Sequence, residues 1–164
     1  MLYFIGYMGA GKTTVGKEMA ELNGLALVDL DHAIEMEQEK SIKEIFHEDG
    51  QDYFRELETA ALRKFSVQNG IVTTGGGVIL KEENRELMKK TGEVIYLRCR
   101  PETLYMRLKY DETRPLIQDK SQEEFISMFR QRERLYEEAA TLIIDTDGMG
   151  VEEIVQTIQD RLNS

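Results

Sequence analysis

The sequence predicts an α/β fold in which a parallel sheet of about five strands lies between two layers of helices. Short, continuous apolar runs rich in β-branched residues alternate with longer amphipathic stretches. The short runs are typical of strands that are covered on both faces. The alternation favours a parallel sheet, because each strand must be joined to the next by a crossover helix. With 164 residues, 41% apolar content and two prolines, we expect one domain spanning residues 1–164.

Five apolar runs are the predicted strands: Leu2–Ile5, Leu25–Asp29, Gly70–Thr74, Glu93–Arg98 and Thr141–Asp145. Between and after them, amphipathic periodicity predicts helices at Lys12–Asn23, Ser41–Asn69 in more than one piece, Glu82–Lys90, Pro101–Lys109, Gln122–Ala139 and Val151–Leu162. The stretch from 110 to 121 fits neither class, since it is polar and contains Arg114-Pro115. Its length is typical of functional loops, and we expect a mobile lid there.

Charge and composition exclude several classes of partner. The formal net charge is −10, from 31 acidic and 21 basic residues, which argues against nucleic acid because a polyanion would be repelled. The one cysteine, Cys99, fits a reducing compartment, and we expect it to be a buried apolar residue near a strand end. No window approaches 18 uncharged apolar residues, and Leu2–Ile5 is too short for a signal segment. We therefore expect a soluble, cytoplasmic monomer without a membrane partner.

Residues 6–13 read Gly-Tyr-Met-Gly-Ala-Gly-Lys-Thr, a full match to the phosphate-binding P-loop pattern. The match follows a predicted strand and opens a predicted helix, which is the context that the pattern requires. We expect Lys12 to contact the β- and γ-phosphates of a nucleotide and the Thr13 hydroxyl to hold Mg²⁺. The residues of this segment expected to bind nucleotide are Gly9, Ala10, Gly11, Lys12, Thr13 and Thr14. The motif predicts phosphoryl transfer but leaves the acceptor open.

Two carboxylates, Asp29 and Asp31, end the second predicted strand. Their spacing would place both on one face of an extended segment, beyond the carboxyl end of the sheet where ligands bind. One carboxylate could then reach Mg²⁺ through water, and the other could accept a proton from a hydroxyl. The alternative is a pair of solvated acids, with Asp31 capping a helix over Ala33–Glu39. Beside a P-loop we favour the functional interpretation.

Further candidates for acceptor binding lie later in the chain. Arg55 lies early in a helical segment, and Glu58, three residues on, can hold its guanidinium; the alternative is an exposed salt bridge. The glycines Gly75–Gly77 follow the third strand and leave room for a ligand against backbone N–H groups. One arginine of the segment 132–134 could form a planar fork for a carboxylate. On the predicted lid, Arg114 could stabilise charge in the transition state.

Taken in order, these segments resemble the shikimate kinase family over nearly the whole chain. The matching residues are Asp29 and Asp31, Ile34-Glu35, Ser41-Ile42, Ile45-Phe46, Phe54-Arg55 with Glu58, Gly75–Gly77, Arg114-Pro115-Leu116, and Arg132 with Leu135-Tyr136. The resemblance implies Mg²⁺-dependent transfer of phosphate from ATP to a hydroxyl of shikimate, giving shikimate 3-phosphate. It also implies an acceptor-binding segment at about 31–60 and a lid at about 110–121.

On the acceptor side, the resemblance implies that Asp31 binds ring hydroxyls of shikimate and is the base towards the attacking one. Arg55 and Arg132 would bind the carboxylate, and Gly76 would donate its backbone N–H. An aromatic wall for the ring would come from Phe46 and Phe54. Such a set suits a small carboxylate with several hydroxyls, because paired arginines orient it while an aspartate activates one oxygen.

On the nucleotide side, the resemblance implies that Thr13, with Asp29 through water, completes the Mg²⁺ site. Lys12 and Arg114 would contact the phosphates, and Arg107 would stack on adenine. One departure concerns the loop 145–150, which reads Asp-Thr-Asp-Gly-Met-Gly and lacks the basic residue and proline that the family often has there. We therefore expect the adenine to rest on Arg107 and backbone alone.

Three alternatives stay open at this point. A kinase of the same architecture could act on another small polyol acid such as gluconate, which would also require arginines. The chain could instead be a nucleotide-dependent switch or an inactive regulatory subunit, although neither needs an acceptor-side base such as Asp31. A nucleoside monophosphate kinase is disfavoured, because a pocket that reads a base needs neither an arginine pair nor three glycines. Turnover of shikimate against gluconate separates the first alternative from the family's reaction.

Overall fold

The computed structural model describes residues 1–110 and 121–164. Five strands form one parallel sheet with the spatial order β2-β3-β1-β4-β5. They are β1 (Leu2–Ile5), β2 (Leu27–Asp29), β3 (Ile71–Thr73), β4 (Glu93–Arg98) and β5 (Leu142–Asp145). Helices connect the strands and pack around the sheet. The predicted α/β class and five-stranded parallel sheet are confirmed.

The helices of the described residues follow the predicted periodicity closely. They are α1 (Lys12–Asn23), α2 (Leu30–Gln38), α3 (Ile42–Asp49), α4 (Gln51–Phe65), α5 (Glu82–Thr91), α6 (Pro101–Lys109), α7 (Gln122–Ala139) and α8 (Val151–Leu162). Serine side chains cap two of them: Ser41 accepts from the N–H of Glu44, and Ser121 from that of Glu124, both at 3.1 Å. A short 3₁₀ turn at Val78–Leu80, which the sequence did not predict, follows the three glycines.

The segment after β2 differs from the prediction. Helix α2 begins at Leu30, directly after the strand, so Asp31 lies in the first helical turn and not in an extended segment. The alternative interpretation, in which Asp31 caps a helix over Ala33–Glu39, does not hold either, because the helix begins at Leu30. Asp29 is the cap, and its Oδ1 accepts a hydrogen bond from the N–H of His32 at 3.2 Å. The early start buries Leu30, which is 0% exposed.

The most buried part of the molecule is the centre of the sheet. Tyr3, Phe4 and Ile5 of β1 are each 0% exposed, because β1 is paired on both sides and covered on both faces. Cys99, directly after β4, is buried as expected, and burial raises the pKa of its thiol to about 11. In the described part of the chain, no helix is long and apolar enough to cross a membrane. Because β1 is the central strand, the loop that follows it starts from the middle of the sheet.

Candidate active site

The P-loop joins β1 to α1 in a conformation that its glycines permit. Gly9 and Gly11 have φ angles of 84° and 89°, a region that side-chain-bearing residues rarely adopt. The N–H of Ala10 is bonded to the carbonyl of Tyr7 at 3.1 Å, which tightens the turn. No acidic residue lies in the first turn of α1, so the helix does not neutralise the positive end of its own dipole. The loop and helix start together form a site suited to phosphate.

Two side chains at the start of α1 lie across the mouth of this loop. Lys12 folds back over the loop, and its Nζ donates to the carbonyl of Gly6 at 2.5 Å. The Thr13 hydroxyl donates to Oδ2 of Asp29 at 3.3 Å. Thr14, the next residue, is exposed. A threonine hydroxyl and a carboxylate so close together are hard oxygen ligands of the kind that Mg²⁺ prefers.

These two oxygens suit Mg²⁺ better than a metal ion that requires three or more protein ligands. Within residues 1–110 and 121–164, no three His, Cys, Asp or Glu side chains form a group that could hold a metal. Mg²⁺ does not need such a group, since it is usually held by one or two protein oxygens together with phosphates and water. Asp29 also keeps Oδ1 on the N-terminus of α2, so one carboxylate serves both positions.

The glycine turn, Gly75–Gly77, is where the acceptor-side groups converge. A Cβ at its first glycine would lie 2.9 Å from both carboxylate oxygens of Asp31, and one at its second 3.6 Å from the Tyr136 hydroxyl. At the third glycine, a Cβ would lie 2.6 Å from Cζ of Arg55. The turn thus brings side chains from α2, α4 and α7 against one short backbone segment. Side chains on the turn itself would exclude two of them.

Asp31 is a largely buried carboxylate with an unused acceptor. Its Oδ1 is inaccessible to solvent and has no hydrogen-bond partner among the described residues. Burial raises the pKa of Asp31, the charge of Lys12 opposes this, and the nearby Asp29 adds to the increase. A buried carboxylate with a raised pKa and a free oxygen is suited to accept a proton from a ligand hydroxyl.

Arg55 is held by a buried ion pair and not by an exposed one. Its Nη1 donates to Oε1 of Glu58 at 2.9 Å, and Glu58 is 0% exposed. Burial raises the pKa of Glu58 to about 6, against the opposing charge of Arg55. Nε of Arg55 is buried without a partner in the described residues, so this guanidinium retains a free donor. Its Cζ lies 5.3 Å from the ring centroid of Phe54, and the Phe54 ring lies 4.9 Å from that of Phe46.

The two arginines of the segment 132–134 have different environments. The side chain of Arg134 is 86% exposed and pairs with Glu138 at 3.1 Å, so it lies on the solvent side of α7. Arg132 is half-buried. Its positive charge lowers the pKa values of Tyr7 and Tyr136, which burial raises. Since Tyr7 belongs to the P-loop and Tyr136 touches the glycine turn, the charge of Arg132 acts on both parts of the site.

The remaining predicted residues lie on the nucleotide side. Arg107, on α6, is exposed, and its Nη1 donates to the carbonyl of Gly9 at 3.2 Å, which places it beside the P-loop. In the loop 145–150, Asp147 is turned inward and accepts from the N–H of Arg100 at 3.3 Å. Asp145 pairs with Arg98 at 2.6 Å. Arg114 and the predicted lid around it lie outside the described residues, apart from the two ends of the loop.

The structure also assigns contacts to residues without a predicted role. Glu35 accepts from the N–H of Ile42 at 3.0 Å, which joins α2 to the start of α3. The Tyr136 hydroxyl donates to the carbonyl of Gly76 at 2.5 Å. A sequence signal existed for Tyr136 alone, because it follows Arg132 by four residues and therefore shares its face of the helix. Glu35 offered no signal beyond its position in the family pattern.

Topology and site together define the class of protein. A phosphate loop at the centre of a parallel sheet, with a carboxylate and arginines meeting at the ends of the neighbouring strands, is the arrangement of a P-loop kinase. Comparison with known proteins narrows the class. The family model described as shikimate kinase matches residues 8–163. The chain belongs to the shikimate kinase family, and the resemblance seen in the sequence is confirmed.

Relatives of this family match over almost their full length. The shikimate kinase of Bacillus mycoides (strain KBAB4) is 46% identical over 162 residues, covering 99% of this chain and 98% of the relative. A solved structure of shikimate kinase from Acinetobacter baumannii in complex with shikimate has a TM-score of 0.91 and 36% identity, covering 99% of this chain and 92% of that one. The Aquifex aeolicus shikimate kinase structure has a TM-score of 0.87 at 30% identity and covers 99% and 95%.

Proposed function

We propose that this chain transfers the γ-phosphate of ATP to a hydroxyl of shikimate, giving shikimate 3-phosphate and ADP. The observation that carries the proposal is the glycine turn. The carboxylate of Asp31, with its unpartnered oxygen, lies against Gly75, and the guanidinium of Arg55 lies against Gly77, two positions further on. A hydroxy acid presents a hydroxyl and a carboxylate at a fixed separation, so a base and a cation on one rigid turn can bind both. Family membership supports the same acceptor.

Acceptor binding follows from the charges that the fold has already buried. Arg55 would bind the substrate carboxylate with the donors that Glu58 leaves free, and Arg132 would approach the same carboxylate from α7. The backbone N–H of Gly76, on the same turn, would donate to this carboxylate. Phe46 and Phe54 would form the wall against the ring, since their rings pack together beside Arg55. These roles fit a segment of about 31–60 as the acceptor-binding part of one domain.

Phosphoryl transfer requires one bond to form and one to break. The substrate oxygen attacks the γ-phosphorus, the bond from that phosphorus to the bridging oxygen of ADP breaks, and the hydroxyl proton passes to Asp31. The raised pKa of Asp31 favours this transfer, because a base is most effective when its pKa lies near the working pH. Lys12 would contact the β- and γ-phosphates and stabilise the charge that moves between them.

On the nucleotide side, Thr13 and Asp29 would hold Mg²⁺, with Asp29 acting through water. When bound, this ion neutralises charge on the phosphate oxygens. Backbone groups of Gly9, Ala10 and Gly11 and the side chain of Thr14 would complete the phosphate cradle. Arg107 would stack on adenine, and Arg114 would contact the phosphates from the lid. We also propose a cytoplasmic monomer that binds no nucleic acid.

A coupled ADP-release assay tests the function directly. With ATP and Mg²⁺ present, ADP release should be slow alone, should rise steeply with shikimate and should stay near the basal rate with gluconate. The physical reason is that phosphoryl transfer needs an acceptor oxygen aligned with the γ-phosphorus, which only the matching hydroxy acid supplies. Lys12→Ala serves as the inactive control. Equal rates with and without shikimate, or preference for gluconate, would refute the proposed acceptor.

A further inference from the structure

Tyr136 links the two elements that the proposed carboxylate site depends on. Its side chain is 0% exposed, and its hydroxyl donates to the carbonyl of Gly76 at 2.5 Å, across 60 positions of the chain. Its ring is stacked on Tyr96 of β4, with centroids 5.1 Å apart and an interplanar angle of 21°. The hydroxyl therefore has a fixed position, because the ring that carries it is held from the strand side.

Arg132 precedes Tyr136 by one helical turn, so the two side chains share a face of α7. Burial raises the pKa of Tyr136, and the positive charge of Arg132 opposes this. The phenol proton is used for the carbonyl of Gly76, so the hydroxyl joins the glycine turn to the helix that carries Arg132.

We propose that Tyr136 is a positioning residue for the acceptor: its hydroxyl fixes the glycine turn at Gly76 against α7, the helix that carries Arg132, where the substrate carboxylate would be bound. The inference rests on the proposed phosphorylation of shikimate. Tyr136 does not touch the reacting atoms. Its loss would leave the transfer step intact while Arg132 and the glycine turn move independently, so the effect falls on shikimate binding and not on ATP.

The test compares two matched variants, Tyr136→Phe and Tyr96→Phe. Each removes one buried hydroxyl and keeps its ring in the stack, but the Tyr96 hydroxyl has no partner in the described residues. Tyr136→Phe should raise the KM for shikimate about tenfold, which is the effect of one buried hydrogen bond. Its KM for ATP and its kcat should stay within about twofold of wild type, and Tyr96→Phe should change none of the three.

Coupling to Arg132 separates a positioning role from a purely structural one. In an Arg132→Ala background, Tyr136→Phe should have little further effect on the KM for shikimate, because the position of the turn relative to α7 matters only while Arg132 is present to bind the carboxylate. Equal effects of the two Phe variants, a matching rise in the KM for ATP, or full additivity with Arg132→Ala would overturn the inference. Failure of wild type to phosphorylate shikimate would instead refute the proposed function, so the two failures are distinguishable.

A second measurement needs no variant and covers the case in which Tyr136→Phe does not fold. Tyrosine labelled with ¹³C at Cζ, introduced at position 136 alone in the wild-type chain, reports the hydrogen bonds of the hydroxyl. Shikimate should shift this resonance, because its carboxylate would bind at Arg132 and the Gly76 backbone, next to the hydrogen bond that the hydroxyl donates. The neutral amide of shikimate, at saturating concentration, should not. No shift with shikimate, or the same shift with both compounds, would overturn the inference.

Discussion

Arg55 shows how burial decides what a pair of charges does. An arginine and a glutamate three residues apart on a helix are most often a solvent-exposed pair that contributes about 0–1 kcal/mol. Here the glutamate is 0% exposed and the arginine side chain 14% exposed, so the pair lies inside the protein. A buried cation with a free donor lowers the stability of the fold, because the contacts inside the protein do not fully compensate its desolvation. A pair on a helix surface does not have this cost. A ligand carboxylate would complete the compensation.

Asp31 gives the sharpest prediction for a single residue. Asp31→Asn keeps the size of the side chain and one acceptor oxygen but cannot take a proton. We expect kcat at saturating ATP and shikimate to fall about 10²–10⁴-fold, the usual contribution of a general base. The measurement is steady-state ADP release, with the Kd for shikimate from titration calorimetry as the control for binding. Near-full kcat would mean that Asp31 only orients the acceptor.

Among the elements, the glycine turn depends on having no side chains, because other side chains of the site occupy that space. Its three residues run between β3 and the 3₁₀ turn, and each lies against a different side chain. Gly77 has a φ of −100°, so its backbone would accept an alanine without strain. The conflict is with the guanidinium of Arg55, which is the far end of a flexible side chain. Arg55, and not the turn, would have to move.

Gly77→Ala should therefore damage binding and spare the fold. A displacement of about 1 Å in a binding group costs up to about 10²-fold, so we expect kcat/KM for shikimate to fall between about tenfold and 10²-fold. The KM for ATP and the melting temperature should change little. Gly150→Ala is the matched control, since a Cβ there meets nothing within 4 Å. A large loss of melting temperature, or equal effects on both substrates, would contradict this account.

At the scale of the whole molecule, the sheet separates the two halves of the reaction. β1 lies in the middle and leads into the P-loop. β2 and β3 lie on one side and lead to Asp31 and the glycine turn, whereas β4 leads on the other side to the helix that carries Arg107. Parallel strands bring all these ends to one edge, so donor and acceptor meet over β1.

The free energy of unfolding should depend on pH through the buried carboxyl of Glu58. Because the pKa of Glu58 is raised from 4.5 to about 6 in the fold, its contribution to stability is fully present below pH 4.5 and lost as pH rises through 6. The shift corresponds to about 2 kcal/mol. Glu58→Gln removes this dependence. The free energy of unfolding of the variant, minus that of wild type, should therefore rise by about that amount between pH 4 and pH 7.

Chemical denaturation at a series of pH values measures this difference. Subtracting wild type removes the contribution of Asp31, whose pKa is raised in the same direction and is present in both proteins. Glu48→Gln is the control, since Glu48 is half exposed, and its pKa is lowered by the hydrogen bond to Lys40. The free energy of unfolding of Glu48→Gln, minus that of wild type, should fall as pH rises. Parallel stability curves for Glu58→Gln and wild type would refute the prediction.

Hydrophobic periodicity predicted most helices and strands well. It failed where the burial of a single side chain determined the start of a helix. The bounds of α1, α6, α7 and α8 follow from periodicity and capping residues and agree with the structure. The start of α2 does not, because two aspartates compete for the cap position, and tertiary burial of Leu30 selects Asp29. The glycine run was recognisable as a place of close approach. Local pattern alone could not predict which groups approach it, since they come from three helices far apart in the chain. The family resemblance did group Asp31 and Arg55 with Gly76.

The two oxygens of Asp29 have a consequence for how each substrate affects the affinity for the other. One oxygen holds the first turn of α2, which carries Asp31, and the other accepts from Thr13 at the nucleotide loop. A change at Thr13 when nucleotide arrives is thus passed through one carboxylate to the helix that presents the base. Thermodynamic linkage requires reciprocity: whatever factor ATP contributes to shikimate affinity, shikimate must return to ATP. Coupling between the two substrates along this route needs only the side chain of Asp29.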